Sequence, residues 1–189
     1  IDWVRLNAIG PVLDVGSSDG WTFYGTLFEH QNLDLDRYKI RNFIQAEALH
    51  LPFSDKSFNT VSINEILEHV DDPSALIKEA IRVAKNLVLI TTPDEHSWSQ
   101  EKAPLLTRDE RMKRDGFSDP KAMQEHFTGK NPYCEQMVPE GSKEHTWHKW
   151  WFKDEDIHNL LKPLSSNYTV EKLKQGGFVW FCCKIKMDE

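Results

Sequence analysis

Short apolar runs recur along the first half of the chain, each closed by a polar or glycine turn. Pro11 to Val15 stops at Gly16, the pattern of a strand covered on both faces. Asn32 to Asp36 and Asn42 to Ala46 read as two more short strands, and Phe58 to Asn64 alternates apolar with polar as a fourth. Leu87 to Thr91 is a fifth, again buried on both sides. Between the first two strands, Trp21, Phe23, Tyr24, Leu27 and Phe28 fall at helical spacing and predict a helix over Trp21 to His30, with Gly25 speaking against it. A sharper helix start is Asp72-Pro73. The aspartate can accept from free first-turn amides, and proline gives up no bond the helix needs. Leu76, Ile77, Ala80, Ile81 and Ala84 then share one face.

Strands alternating with helices predict an α/β fold with a doubly wound, mostly parallel sheet. The pattern breaks at Pro93. From Asp94 to Trp151 no strand is legible, only two short helix candidates, Thr107 to Asp115 and Pro120 to His126. A stretch of that length is expected to be a helical lid or substrate insertion within a single domain spanning residues 1–189. Asp154 to Lys162 reads as an amphipathic helix ended by Pro163. Tyr168 to Leu173 and Phe178 to Ile185, separated by Gly176-Gly177, form a hairpin, so a seven-stranded sheet should end in an antiparallel element.

Composition narrows the function classes. The 189 residues suit one domain. A balance of 23 Lys+Arg against 30 Asp+Glu, net charge -7, disfavours nucleic acid and acidic membranes as partners. Three cysteines make no disulfide framework and suggest a reducing compartment, so a cytoplasmic location is expected. No apolar run approaches a membrane span, and Ile1 to Gly10 lacks the order of a signal peptide. The start at Ile1 rather than Met leaves open what precedes it.

In a doubly wound sheet the ligand site lies beyond the carboxyl ends of the strands. Here those ends read Asp14 to Gly20, then Asp34 and Asp36, Glu47 and Ala48, Asn64 and Glu65, and Thr92 to Asp94. The set is acidic. A dinucleotide would bring its pyrophosphate to the first turn, where Asp14 and Asp19 repel it, which disfavours a nicotinamide-dependent oxidoreductase. A sulfonium with an ammonium group would be attracted, and acids after the second and third strands suit ribose hydroxyls and an adenine amine. That describes S-adenosyl-L-methionine.

At these positions the sequence resembles the class I methyltransferases that use S-adenosylmethionine, in particular the group containing the ubiquinone-biosynthesis type enzymes. Val12-Leu13-Asp14-Val15-Gly16-Ser17-Ser18-Asp19-Gly20 is similar to the family's first motif, whose glycine loop holds the methionine end of the cofactor. Leu33-Asp34-Leu35-Asp36 is similar to the second, in which an acid binds both ribose hydroxyls. Counting back from Leu51-Pro52-Phe53 puts Glu47 at the acid facing adenine, with Ala48 beside it. Ser57-Phe58-Asn59-Thr60-Val61 and Leu67-Glu68-His69-Val70 match the following block. The resemblance runs from about Pro11 to Pro93 and implies a Rossmann-like methyltransferase fold. It implies cofactor contacts from Asp14, Gly16, Ser17, Asp19, Gly20, Asp34, Leu35, Asp36, Glu47, Ala48, Asn64 and Glu65. Ser18 replaces the usual middle glycine, Asn59 an aspartate, and no Pro-Gly-Gly turn separates Lys85 from Leu87. Few residues precede the first strand, so the helix that often covers the cofactor is missing or lies upstream.

The expected reaction is methyl transfer to a small or medium-sized acceptor by direct in-line displacement, which relies chiefly on positioning. A base matters only for a hydroxyl or protonated amine, and the candidates are His69, His145 and His148. The last two lie in the aromatic run Glu144 to Phe152, which could line an acceptor pocket or anchor the insertion. The alternative is a catalytically inactive binding or partner protein of the same fold. His126, Cys134, His145 and His148 match no closed zinc spacing, so no metal site is expected.

Overall fold

The computed structural model describes residues 2–94, 97, 150, 152–175 and 178–187. Seven strands form one sheet: β1 (Val12–Val15), β2 (His30–Asp34), β3 (Phe43–Gln45), β4 (Phe58–Asn64), β5 (Ala84–Pro93), β6 (Tyr168–Gln175) and β7 (Phe178–Lys186). Their spatial order is β3-β2-β1-β4-β5-β7-β6. The first five are parallel, and β7 enters antiparallel between β5 and β6. The expected doubly wound sheet with its antiparallel hairpin is therefore what the chain forms. Strand order reverses between β1 and β4, which pair in register Val15 with Ile63.

Alternation along the central strands feeds two apolar layers. Leu13 and Val15 of β1, with Val88 and Ile90 of β5, face the larger core. There they meet Leu76, Ile77 and Ala80 of α2 (Pro73–Val83), and Ile157 and Leu161 of α3 (Asp154–Leu161). Val12 and Leu89 face the other side, where Val4 of α1 (Asp2–Asn7) and Phe23 cover them. Helix α2 starts as its sequence dictates. Asp72 accepts from the Ala75 amide at 2.9 Å, and Pro73 fills the first turn. Toward its other end, Arg82 donates to Glu79 and Asp55 and to the carbonyls of Leu51 and Phe53, which fixes the turn leading into β4.

One expected element does not form. Over Trp21 to His30 the chain makes successive turns, with Tyr24 and Thr26 amides reaching back three residues to Trp21 and Phe23. Gly25 takes a φ of 72°, a left-handed turn that interrupts a helix. Arg5 of α1 also donates to the Trp21 and Thr22 carbonyls, occupying acceptors a helix would have used itself. Of the five apolar residues, Phe23 is fully buried while Trp21, Tyr24 and Leu27 are exposed. Helix α1 itself, short and ahead of the first strand, has no counterpart in the sequence-based expectation.

The carboxyl end of β5 and the start of α3 meet on one ammonium group. Lys172 of β6 lies 2.8 Å from Asp94 and 2.7 Å from Asp154, and 4.8 Å from the centre of the Phe181 ring. Burial alone would lower its pKa, but its hydrogen bonds to Asp154 and Asp94 outweigh that and raise it. The two helix candidates between Thr107 and His126 lie outside the described residues. No helix among the described residues is long and apolar enough to cross a membrane.

Replacing Asp72 by Ala removes the side-chain cap of α2. We expect a loss of about 1 kcal/mol, read as a thermal midpoint lower by about 2 to 4 °C for a chain of this size. Asp72→Asn should restore most of it.

Candidate functional site

The carboxyl ends of β1, β2 and β4 converge where strand order reverses, the place where open sheets of this kind bind ligands. Asp14 sits there fully buried. Asn64 of β4 donates to its Oδ1 at 3.3 Å and to Ser62 Oγ at 2.6 Å, and accepts from the Thr91 hydroxyl of β5 at 3.3 Å. The network ties three neighbouring strand ends together. Burial dominates the Asp14 carboxyl and pushes its pKa from 3.8 to about 7, against hydrogen bonds from Ser62, Thr22 and Asn64; the nearby Asp34 charge adds to the rise.

The turn after β1 is built on three left-handed residues, Gly16, Ser18 and Gly20, with φ of 70°, 49° and 75°. A side chain on either glycine would strike a neighbour. A Cβ on Gly16 would lie 2.7 Å from Ile66 Cδ1, and one on Gly20 2.9 Å from Ile40 Cδ1. Ser18 takes the strained conformation, as the position of the usual middle glycine requires.

Most of the turn's amides are spent within the chain. Gly16 and Ser17 both donate to the Leu33 carbonyl, at 2.8 and 3.0 Å, and Gly20 donates to the Ser17 carbonyl at 2.8 Å. Ser18 donates to Asp34 Oδ2 at 2.9 Å, and Trp21 to Asp19 Oδ1 at 3.3 Å. A pyrophosphate needs such amides free and pointed at it. Here most are taken, and carboxylates stand beside them. The Ser17 hydroxyl, buried, has no hydrogen-bond partner among the described residues.

Asp34 closes β2 half-buried, its Oδ1 accepting from the Asp36 amide at 3.0 Å. Each carboxylate oxygen has a second lone pair, so the group keeps capacity for two hydroxyl donors. Its carbonyl accepts from the Ala46 amide at 3.0 Å, which brings the end of β3 alongside. Glu47 is exposed there, 3.5 Å from the His50 ring, while Ala48 packs on the core. Leu35 projects outward, 51% exposed.

On the other side of the reversal the expected residues spread out. Glu65 is exposed in a left-handed conformation, φ 52°, and accepts from the Trp180 indole of β7 at 3.0 Å. His69 is 22% exposed, its Nε2 4.0 Å from Glu68 Oε1. Glu68 is buried, accepts from the Thr92 hydroxyl at 2.9 Å, and its carbonyl accepts from the Trp150 amide at 3.1 Å. His145 and His148 lie outside the described residues.

Sequence reasoning missed four contributors here: Thr22 and Ser62 beside Asp14, the buried Glu68 beside His69, and Trp180 against Glu65. Ser62 was within reach of strand alternation, which places it on the same face as Asn64. Trp180 needed the register of β7 on β5, where it pairs with Pro93.

With the geometry in place, the comparisons are specific. Residues 12–90 match the family described as methyltransferase domain. A demethylmenaquinone methyltransferase of Lactobacillus johnsonii is 38% identical over 69 residues, covering 32% of this chain and 28% of that protein. The matched part thus spans well under a third of that relative's length. Among solved structures, one from Thermotoga maritima, described as a SAM-dependent methyltransferase and possible histamine N-methyltransferase, superposes with a TM-score of 0.60 at 15% identity over 95% of this chain and 84% of that one. A SAM-dependent methyltransferase from Methanosarcina mazei gives 0.59 at 18% identity over 100% and 99%. These last two likenesses speak for the fold.

The buried Asp14 gives a signed prediction. Its folded pKa lies above its unfolded one, so the native state holds the extra proton between about pH 4 and pH 7, and stability falls as pH rises through that window. Asp14→Asn should abolish that fall. Denaturant titrations should show the variant gaining on the parent by up to a few kcal/mol between pH 4 and 7, on the order of 1.4 kcal/mol for each pH step of one crossed, with the gap flat above.

Proposed function

We propose, from the match of residues 12–90 to the family described as methyltransferase domain, that this protein transfers a methyl group from S-adenosylmethionine to a small or medium-sized acceptor. The observation that carries the reading is the turn after β1. Most of its amides are consumed by Leu33, Ser17 and Asp34, so it offers acids rather than an anion cradle. The donor set fits a cationic adenosyl cofactor. When bound, that cofactor supplies a methyl group already activated on a positively charged sulfur.

The chain's own residues then bind and orient. Asp34, with Asp36 and Leu35 beside it, takes the ribose hydroxyls at the end of β2. Glu47 and Ala48 take the adenine at the end of β3. Gly16, Ser17, Asp19 and Gly20 shape the wall for the amino-acid end, over Asp14. Asn64 and Glu65, on the far side of the reversal, bound the acceptor's approach. Most of the rate then comes from holding the nucleophile in line, worth roughly 7 to 11 kcal/mol in well-oriented systems. His69, close to the buried Glu68, is the proton acceptor for an acceptor that needs one.

Calorimetry with S-adenosylhomocysteine tests the reading. We expect binding to the parent, and a loss of ten- to a hundredfold in Asp34→Ala, since a hydrogen bond to a charged group is worth about 1.5 to 3 kcal/mol. Asp34→Asn, which keeps one acceptor oxygen, should lose less. Equal binding by parent and Asp34→Ala, or tighter binding of a nicotinamide dinucleotide than of the adenosyl ligand, would overturn it.

A further inference from the structure

His69 stands on the connection of residues 65–72, between β4 and α2. That connection makes only a turn, in which the His69 amide donates to the Ile66 carbonyl at 2.9 Å. Loops move more than the elements they join. A proton acceptor, by contrast, has to meet its proton within a reach of about 2.6 to 3.2 Å. A base on such a loop therefore needs holding from outside it.

Trp150 holds the loop on both sides of the histidine. Its backbone amide donates to the Glu68 carbonyl at 3.1 Å, and its indole Nε1 donates to the Val70 carbonyl at 2.7 Å. From within, Leu67 and Glu68 are buried, and the Thr92 hydroxyl of β5 donates to Glu68 Oε2 at 2.9 Å. Between these holds the His69 ring stays partly exposed. Trp150 itself packs against the larger core and lies parallel to Phe152, with ring centres 6.2 Å apart. Phe152 is buried and stands two positions before α3. The residues flanking His69 are thus tied to the entry of α3 as well as to their own strand. An indole that served only to fill the core could satisfy its N–H on any nearby acceptor. Amide and indole here take the two carbonyls that bracket one imidazole.

We propose that Trp150 is a positioning residue for His69, its two bonds fixing the backbone on either side of the imidazole and so setting where that base stands relative to the bound cofactor. The proposal rests on the reading of His69 as the proton acceptor. It reaches beyond the family match, which ends at residue 90. Misplacing a catalytic group by about 1 Å can cost on the order of a hundredfold in rate, so the hold matters to the chemistry as well as to the fold. Only the indole bond can be removed by substitution, because the other belongs to the backbone. Trp150→Phe keeps a ring beside Phe152 and deletes that donor. Trp150→Gln does the reverse, keeping an N–H donor without the ring.

The test is carbethoxylation of the full chain by diethyl pyrocarbonate, read residue by residue by peptide mass spectrometry, with and without saturating S-adenosylhomocysteine. His30, His50 and His158 serve as internal references. In the parent the ligand should slow modification of His69 and leave the references unchanged. In Trp150→Phe the unliganded rate at His69 should rise about two- to tenfold, the factor that one hydrogen bond carries in a local equilibrium. The ligand's protection of His69 should shrink with it, while the calorimetric affinity for S-adenosylhomocysteine and the reference rates match the parent. Trp150→Gln should stay nearer the parent at His69. An unchanged His69 rate and unchanged protection in Trp150→Phe would overturn the proposal. So would the opposite order of the two variants, which would make packing of the ring the whole of its role. Bound S-adenosylhomocysteine that fails to protect His69 in the parent would remove the histidine as the base, and a parent that binds no S-adenosylhomocysteine would remove the cofactor reading itself, so the three failures are told apart.

Discussion

The fold turns on a largely buried polar network at the strand ends. Asp14, Asn64, Ser62 and Thr91 join the ends of three parallel strands. Each half-satisfied member of such a set would be costly, so the network specifies how far β1, β4 and β5 run before the chain may turn. The same atoms that lock the sheet thus stand at the strand ends where the chain turns. A hydrophobic residue at Asp14 could pack there, but it could not hold Asn64 in place.

Sign follows from the same place. Once the turn amides are bound to Leu33, Ser17 and Asp34, the local field is set by carboxylates, and a ligand arriving at the strand ends meets a surface that prefers positive charge. Ser18 sharpens the point. Its left-handed backbone at φ 49° aims its amide at Asp34, so a serine in a glycine's position helps hold the acid that closes β2.

Much of this is legible in the sequence, and the reasons differ from element to element. Strands β1, β4 and the terminal hairpin can be read because burial on two faces, or strict alternation, leaves a direct mark on sequence. Helix α2 can be read because Asp72 and Pro73 act locally. The stretch from Trp21 to His30 cannot, because its apolar residues keep helical spacing while its carbonyls are claimed by Arg5, from outside the segment. No window of sequence records such a competition. The acids at the strand ends are found by position alone, yet their company is not. Glu68 is buried against Thr92 from another strand, and Trp180 reaches Glu65 across 115 positions of chain, so both depend on a register that only the assembled sheet supplies.

The shared ammonium of Lys172 has a consequence for how the protein can vary. Asp94 and Asp154 are pinned to one point, so the polypeptide leaving β5 and the polypeptide entering α3 start and finish at a common knot. The entropy of closing a loop grows only with the logarithm of its length. The length of chain between those two aspartates can therefore change at little thermodynamic penalty, provided Trp150, bonded to Glu68 and Val70, and the buried Phe152 are kept, while the seven strands stay as they are.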